Sequence, residues 1–264
     1  MHKMKHTHFC LHRHTKIWLA VLLLFLNSYS GTAQIVNIEK ERIRNHDSVG
    51  IMGKVTSTID ITQNVNMLVS AAFNPHLQYK NRKHLVLVIA QTEYAAVDNK
   101  TLSSGGFFHI RHNYTLHKNI KSDCFTQIQY NNVWNMPLRF LIGAGPRFKI
   151  LDIKKNRLYF GPLYMYEIQH VKTDNYTQYN HRMSAYVSWN IEPNNIVFFS
   201  GTVYYQPLLK DFHNYRLTGL CELNFVISRR FSFDNHFKII FDQTGTTDIP
   251  PETYQYTAGL GYTF

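Results

Sequence analysis

The chain has 264 residues, with 28 Lys and Arg against 17 Asp and Glu, 15 His and three Cys, and a formal charge of +11. Charged residues amount to only 17%, while Tyr and Phe number 17 and 18, a load that suits β-strands and membrane interfaces and argues against a disordered chain. The bases are scattered instead of clustered, which sets nucleic-acid binding aside.

Residues 1–33 read as a cleaved signal peptide. Lys3, Lys5, Arg13 and Lys16 form a basic start, and Ile17 to Leu26 is unbroken apolar sequence, too short to span a bilayer as a helix. Gly31, Thr32 and Ala33 supply small residues before an expected cut between Ala33 and Gln34. Cleavage takes four bases from 28 and leaves 24 against 17 acids, or +7. It also removes Cys10 and the histidines at 2, 6, 8, 12 and 14, so no metal site is read from them. Residues 34–50 are charged and irregular, with Glu39, Lys40, Glu41, Arg42, Arg44 and Asp47, and are expected to form a short periplasmic lead-in. No later apolar run is long enough for a transmembrane helix. The mature chain is therefore either a soluble exported protein or a β-barrel.

Residues 51–264 alternate between strand and turn patterns. Candidate strands cover 51–62, 66–79, 84–97, 106–117, 123–131, 138–151, 157–170, 182–191, 196–206, 215–228, 231–242 and 254–264, about twelve in all. Several alternate cleanly with period two. Leu158, Phe160, Pro162, Tyr164, Tyr166 and Ile168 share one face, while Arg157, Glu167 and Gln169 share the other. Leu217, Cys221, Leu223, Phe225 and Ile227 oppose Arg216, Thr218, Glu222, Asn224 and Ser228. Phe231, Phe233, Phe237, Ile239 and Phe241 oppose Ser232, Asp234, His236, Lys238 and Asp242. In the last segment Tyr254, Tyr256, Ala258, Leu260, Tyr262 and Phe264 oppose Gln255, Thr257, Gly259, Gly261 and Thr263. The run Leu85 to Ala90 is apolar on both faces and fits less well.

The connections are expected to alternate in length. Lys118–Ser122, Asp152–Asn156, Glu192–Asn195 and Arg229–Arg230 read as tight turns. Asp98–Gly105, Val171–His181, Pro207–Asn214 and Gln243–Thr253 read as longer loops, and only the link near Gln63 to Val65 breaks the rule. Short periplasmic turns and long outer loops are the habit of bacterial barrels. The expectation is one all-β domain over 51–264, a closed antiparallel transmembrane β-barrel of about twelve strands.

The faces carry the same argument. Arg111, Arg139, Arg147, Arg157, Arg182, Arg216 and Lys238 fall on polar positions with Glu167, Glu222, Asp234 and Asp242. Unpartnered, such charges would be very costly in a dry core, whereas a polar lumen lets them pair with each other or with water. A basic side chain facing lipid would cost about 2–4 kcal/mol near the midplane, so the alternation fixes which face looks inward. Tyr79, Trp134, Tyr166, Trp189 and Tyr254 near strand ends suit interfacial girdles. The positive surface is expected to meet lipopolysaccharide or phospholipid headgroups of the outer membrane. Cys124 and Cys221 read as small apolar residues, with a disulfide between them as the alternative.

Arg111-His112-Asn113-Tyr114, Phe125-Thr126-Gln127-Ile128-Gln129-Tyr130-Asn131, and Arg139 followed by Gly143-Ala144-Gly145-Pro146-Arg147-Phe148 resemble the central signature of a family of salt-induced outer-membrane proteins, domain of unknown function 481. Tyr204-Tyr205-Gln206-Pro207 with Asp211, Tyr215-Arg216, and Asp242 before Ile249-Pro250-Pro251 extend the likeness over nearly the whole mature chain. The resemblance implies a monomeric outer-membrane barrel with no assigned reaction, no cofactor and no catalytic residue to carry over. An acid commonly precedes the family's Phe-x-Gln run; Asp123 fills that place, although Cys124 beside it departs from the pattern. The aromatic tail with Tyr262 and Phe264 resembles the sorting signal of outer-membrane barrels, which implies delivery to the barrel-assembly machinery through the C-terminal strand.

A barrel lipid hydrolase would need a nucleophile, His and a third polar group beside the lipid. No serine lies in a Gly-x-Ser-x-Gly setting and no His-Glu-x-x-His is present, so no catalytic or metal residue is assigned and no enzyme is expected. His109 beside Arg111, and His236 beside Asp234, read as lumen hydrogen-bonding residues. Two function classes remain: a structural or envelope-stress barrel with a charged, largely plugged lumen, and a narrow channel or binder for small anions.

Overall fold

A computed structural model describes residues 49–98, 100–171, 176–228, 230–243 and 250–262. The signal segment with its Ala33–Gln34 cut, most of the lead-in at 34–48, and Phe264 lie outside the described residues. Among those described are twelve strands: β1 (Gly50–Gln63), β2 (Met67–Lys80), β3 (His84–Val97), β4 (Lys100–His117), β5 (Ile120–Asn131), β6 (Met136–Ile153), β7 (Asn156–Val171), β8 (Tyr176–Ile191), β9 (Val197–Leu208), β10 (Asp211–Val226), β11 (Phe231–Asp242) and β12 (Glu252–Tyr262). They form one antiparallel meander in which each strand pairs with its sequence neighbours, in the order β1 to β12. No ladder joins β12 to β1 among the described residues, so the sheet is open along that seam. No described helix is long and apolar enough to cross a membrane, which says nothing of strands.

The sheet is strongly curled. Tyr186 of β8 bonds Asp123 of β5 at 2.9 Å, although strands three places apart would stand about 14 Å apart in a flat sheet. Glu93 of β3 lies within electrostatic reach of Lys238 of β11, so the inner faces of distant strands look toward each other. The outer face carries Phe73, Ile128, Ile142, Phe160, Tyr164 and Leu260, all exposed. The inner face of the middle strands is closed by buried side chains, among them Arg111, Arg147, Glu167, Arg182 and Arg216.

The segment Leu85 to Ala90 has a structural reason for its two apolar faces. Leu87 and Ile89 point inward onto Phe107 of β4, with Leu85 packed beside them, as an apolar patch next to the charged interior.

The expected alternation of short and long connections needs correction. Lys100–Gly105 belongs to β4 and Tyr176–His181 to β8, both paired on the ladder, so those two loops shrink. The β9–β10 link shortens to Leu209–Lys210, with an irregular stretch between Asp211 and Tyr215. A hairpin that continues past its apolar band keeps its backbone hydrogen bonds while its side chains turn polar. Ser, Gly and Asn there reflect that change of surroundings and do not mark a loop. Opposite these, β6 and β7 meet through Lys154–Lys155, with Lys154 at φ 55, the left-handed conformation that two-residue hairpins use.

Candidate functional site

Two groups of charges fill the inner face between β4 and β11. In the first, Arg111 of β4 grips Asp123 of β5 in a fork, Nε to Oδ1 at 2.8 Å and Nη2 to Oδ2 at 2.5 Å. Tyr186 Oη donates to the same Oδ2 at 2.9 Å, and Arg147 Nη1 of β6 donates to Tyr186 Oη at 3.2 Å. Aromatic faces cover the guanidinium groups: Arg147 lies 4.0 Å over the Tyr159 ring, and Arg111 lies between Phe125 and Tyr186. The position of Tyr186 depends on a missing side chain. A Cβ at Gly161 would stand 2.4 Å from its ring, so only glycine lets Tyr186 cross β7 to reach Asp123.

In the second group one carboxylate meets three arginines. Glu167 Oε1 of β7 forms a close ion pair with Arg139 Nε at 2.5 Å and accepts from Arg216 Nη1 at 3.2 Å, while its Oε2 accepts from Arg182 Nε at 2.5 Å. Arg216 Nε also donates to Asp242 Oδ2 at 2.6 Å, and Arg182 Nη1 to the Gln206 carbonyl at 2.9 Å. Glu167 and Arg182 are fully buried, at 0% exposure. Stripping water from such ions costs several kcal/mol each, and the gathering of three arginines on one carboxylate offsets part of it. The network therefore contributes chiefly by fixing which strands face which.

Sequence patterning placed eleven charges on the inner face, and the structure sorts them. Arg111, Arg139, Arg147, Glu167, Arg182, Arg216 and Asp242 lie in the two groups. Arg157 instead pairs with Asp152 at 3.3 Å beside the β6–β7 turn. Glu222 faces His236 at 3.4 Å, Asp234 is half-buried opposite Gly259, and Lys238 looks toward Glu93. Two members escaped the reading of faces. Asp123 stands out in the sequence only by family likeness, although it shares parity with Gln127 and Gln129, both buried. Tyr186 shares parity with the buried Ser184 and Ser188 of β8, and that was the available signal.

Between the groups lies a cavity of about 60 Å³, walled by Arg111, Arg139 and Arg216, by Gln129, Ser184 and Tyr204, and on its apolar side by Leu141, Leu163 and Met165. His109 borders it, its Nδ1 placed 2.8 Å from Gln127 Oε1. On the opposite, outward face Cys124 Sγ stands 4.0 Å from His112 Nδ1, and His112 Nε2 stands 3.0 Å from His84 Nδ1. Cys124 and Cys221 are both free, which removes the disulfide alternative.

Among solved structures, a KdgM porin is similar over 81% of this chain and 99% of its own, at 8% identity and a TM-score of 0.43. A NanC porin is similar over 80% and 99%, at 10% identity and a TM-score of 0.45. These are distant likenesses. No curated protein matches the chain. The family described as "Protein of unknown function, DUF481" matches residues 60–264, so that every strand of the charge network and the C-terminal strand fall inside it, and the chain belongs to that family.

Proposed function

We propose that the protein is a bacterial outer-membrane β-barrel whose interior is plugged by its own arginine–carboxylate network, with a structural or envelope-stress role. One observation carries this reading: large apolar side chains stand exposed along the outer face of the sheet, while the charged ones of the middle strands are buried on the inner face. A water-soluble protein rarely exposes an apolar face of that extent, and hydrocarbon is the solvent that would cover it. Closing β1 onto β12 would pair the two open edges, as lipid requires of any spanning sheet. The outward rows would then meet lipid and lipopolysaccharide, and the monomer would be complete without a partner subunit. Export through residues 1–33 and recognition of the C-terminal strand by the assembly machinery belong to the same proposal.

Conductance of the refolded protein in a planar bilayer tests the plug. The expected result is no steady current. A second reading, a narrow path for small anions, draws on the excess of buried arginines over carboxylates. A steady anion-selective current would replace the first reading with the second. Changing Arg147 and Arg216 to Ser would then alter selectivity, whereas in a sealed barrel it would mainly lower stability.

A further inference from the structure

We propose that the cavity between the two charge groups binds a small monoanion, a halide or a short carboxylate, as a counter-ion built into the plug. The site rests on the plugged-interior reading and adds a ligand to it. Three arginines, Arg111, Arg139 and Arg216, line the cavity, and no carboxylate side chain does. Asp123, Glu167 and Asp242 grip those arginines from behind, away from the space. Among the described residues, the two groups bring five guanidinium groups, those of Arg111, Arg139, Arg147, Arg182 and Arg216, together with three carboxylates, Asp123, Glu167 and Asp242. Arginine keeps its charge under any ordinary condition, so the excess is not relieved by losing a proton. A buried surplus of charge is costly without a counter-charge.

The cavity offers donors that are not otherwise committed. Arg139 is 5% exposed, and its short ion pair with Glu167 runs through Nε, which leaves its Nη groups for a ligand. Ser184 Oγ accepts from Gln206 Nε2 at 3.0 Å, so its own proton is free to point into the space. Volume limits the occupant. At about 60 Å³ the cavity has room for roughly four waters, or for one halide or short carboxylate with a water beside it. Leu141, Leu163 and Met165 on the remaining side suit a weakly hydrated ion with a small apolar part. Large polyanions and sugar acids are too big.

The test uses the full chain refolded in detergent micelles and dialysed into chloride, formate or gluconate at one ionic strength. Gluconate serves as the anion too large to enter. The expected result is a urea midpoint that rises saturably with chloride or formate and stays flat with gluconate. Broadening of the chloride NMR line by the protein, reversed by formate, would report the same occupancy directly. Ser184→Ala leaves every ion pair in place and should weaken the midpoint response roughly tenfold in anion concentration. Arg139→Gln should abolish it. Equal midpoints in all three anions, from a protein that still shows a heat-modifiable folded band, would overturn the site and leave the barrel standing. Absence of any heat-modifiable band would remove the barrel and the site together.

Discussion

Strands β5 to β8 and strands β1 and β12 follow the same period-two pattern, yet they end in different surroundings. The inner positions of β5 to β8 are almost all buried, whereas β1 and β12 are exposed along nearly their whole length on both faces. Inner-face chemistry accounts for the contrast. The middle strands present Asp123, Arg139, Arg147, Glu167, Arg182 and Tyr186, long side chains that reach across to other strands. β1 presents Thr56, Thr58, Asp60 and Thr62, and β12 presents Gln255, Thr257, Gly259 and Gly261, which stop short. Alternation makes a strand; a partner several strands away makes a packed wall.

The contrast is broken most sharply at Glu167. Replacing it with Gln leaves three buried arginines around a neutral amide, and removing one partner of a buried ion pair costs about 3–5 kcal/mol. Asp60→Asn in β1 changes an exposed group and should shift stability by no more than about 0.5 kcal/mol. Urea titrations of the two refolded variants, followed by tryptophan fluorescence, measure the difference. Comparable losses would mean that the middle wall is no better packed than the seam.

A second pair sharpens the point with the smallest possible side-chain change. A methyl group at Gly161 meets the Tyr186 ring at 2.4 Å, and that ring is held by Asp123 and Arg147. At Gly259 a methyl group meets nothing within 4 Å. Gly161→Ala should therefore cost about 1–3 kcal/mol, while Gly259→Ala should be neutral or slightly stabilising. The same denaturation series reads both. A neutral Gly161→Ala would mean that Tyr186 can leave its place without loss.

These contrasts also show what the linear sequence carries. Strand existence and facing were legible in β7, β10 and β11, because one polar and one apolar row per strand is a local property. Strand ends were not, because polar residues such as Ser103, Ser104 and Asn180 suit a water-exposed hairpin as well as a loop. The polar rows that carry the charges were legible, but how those charges group was not. That Arg216 of β10 meets Glu167 of β7, three strands away, depends on how far the sheet curls, and no single strand encodes that. Leu87 and Ile89 show the reverse case: their inward apolar contacts with Phe107 read as a flaw in alternation until the neighbouring strand is known.

The mildest change bears on the medium outside the sheet, and it falls on the seam strand β12. Asn235 is the polar exception in the outward row of β11 between Phe233 and Phe237. Its Nδ2 donates to the Leu223 carbonyl at 3.1 Å, and its Oδ1 accepts from Tyr256 Oη of β12 at 2.7 Å. If that face meets hydrocarbon, Tyr256→Phe strips a carbonyl oxygen of a partner that lipid cannot replace. Hydrogen bonds between side chains in membranes average about 0.6 kcal/mol, so a loss of that order is expected for the variant folded into liposomes. If the face meets water, solvent takes over the bond and the apolar Phe costs nothing. Adding Asn235→Leu settles the matter, because it removes the group that needed the partner. The double variant should recover the loss in lipid, and a Tyr256→Phe protein as stable as the parent would place water against the outward rows.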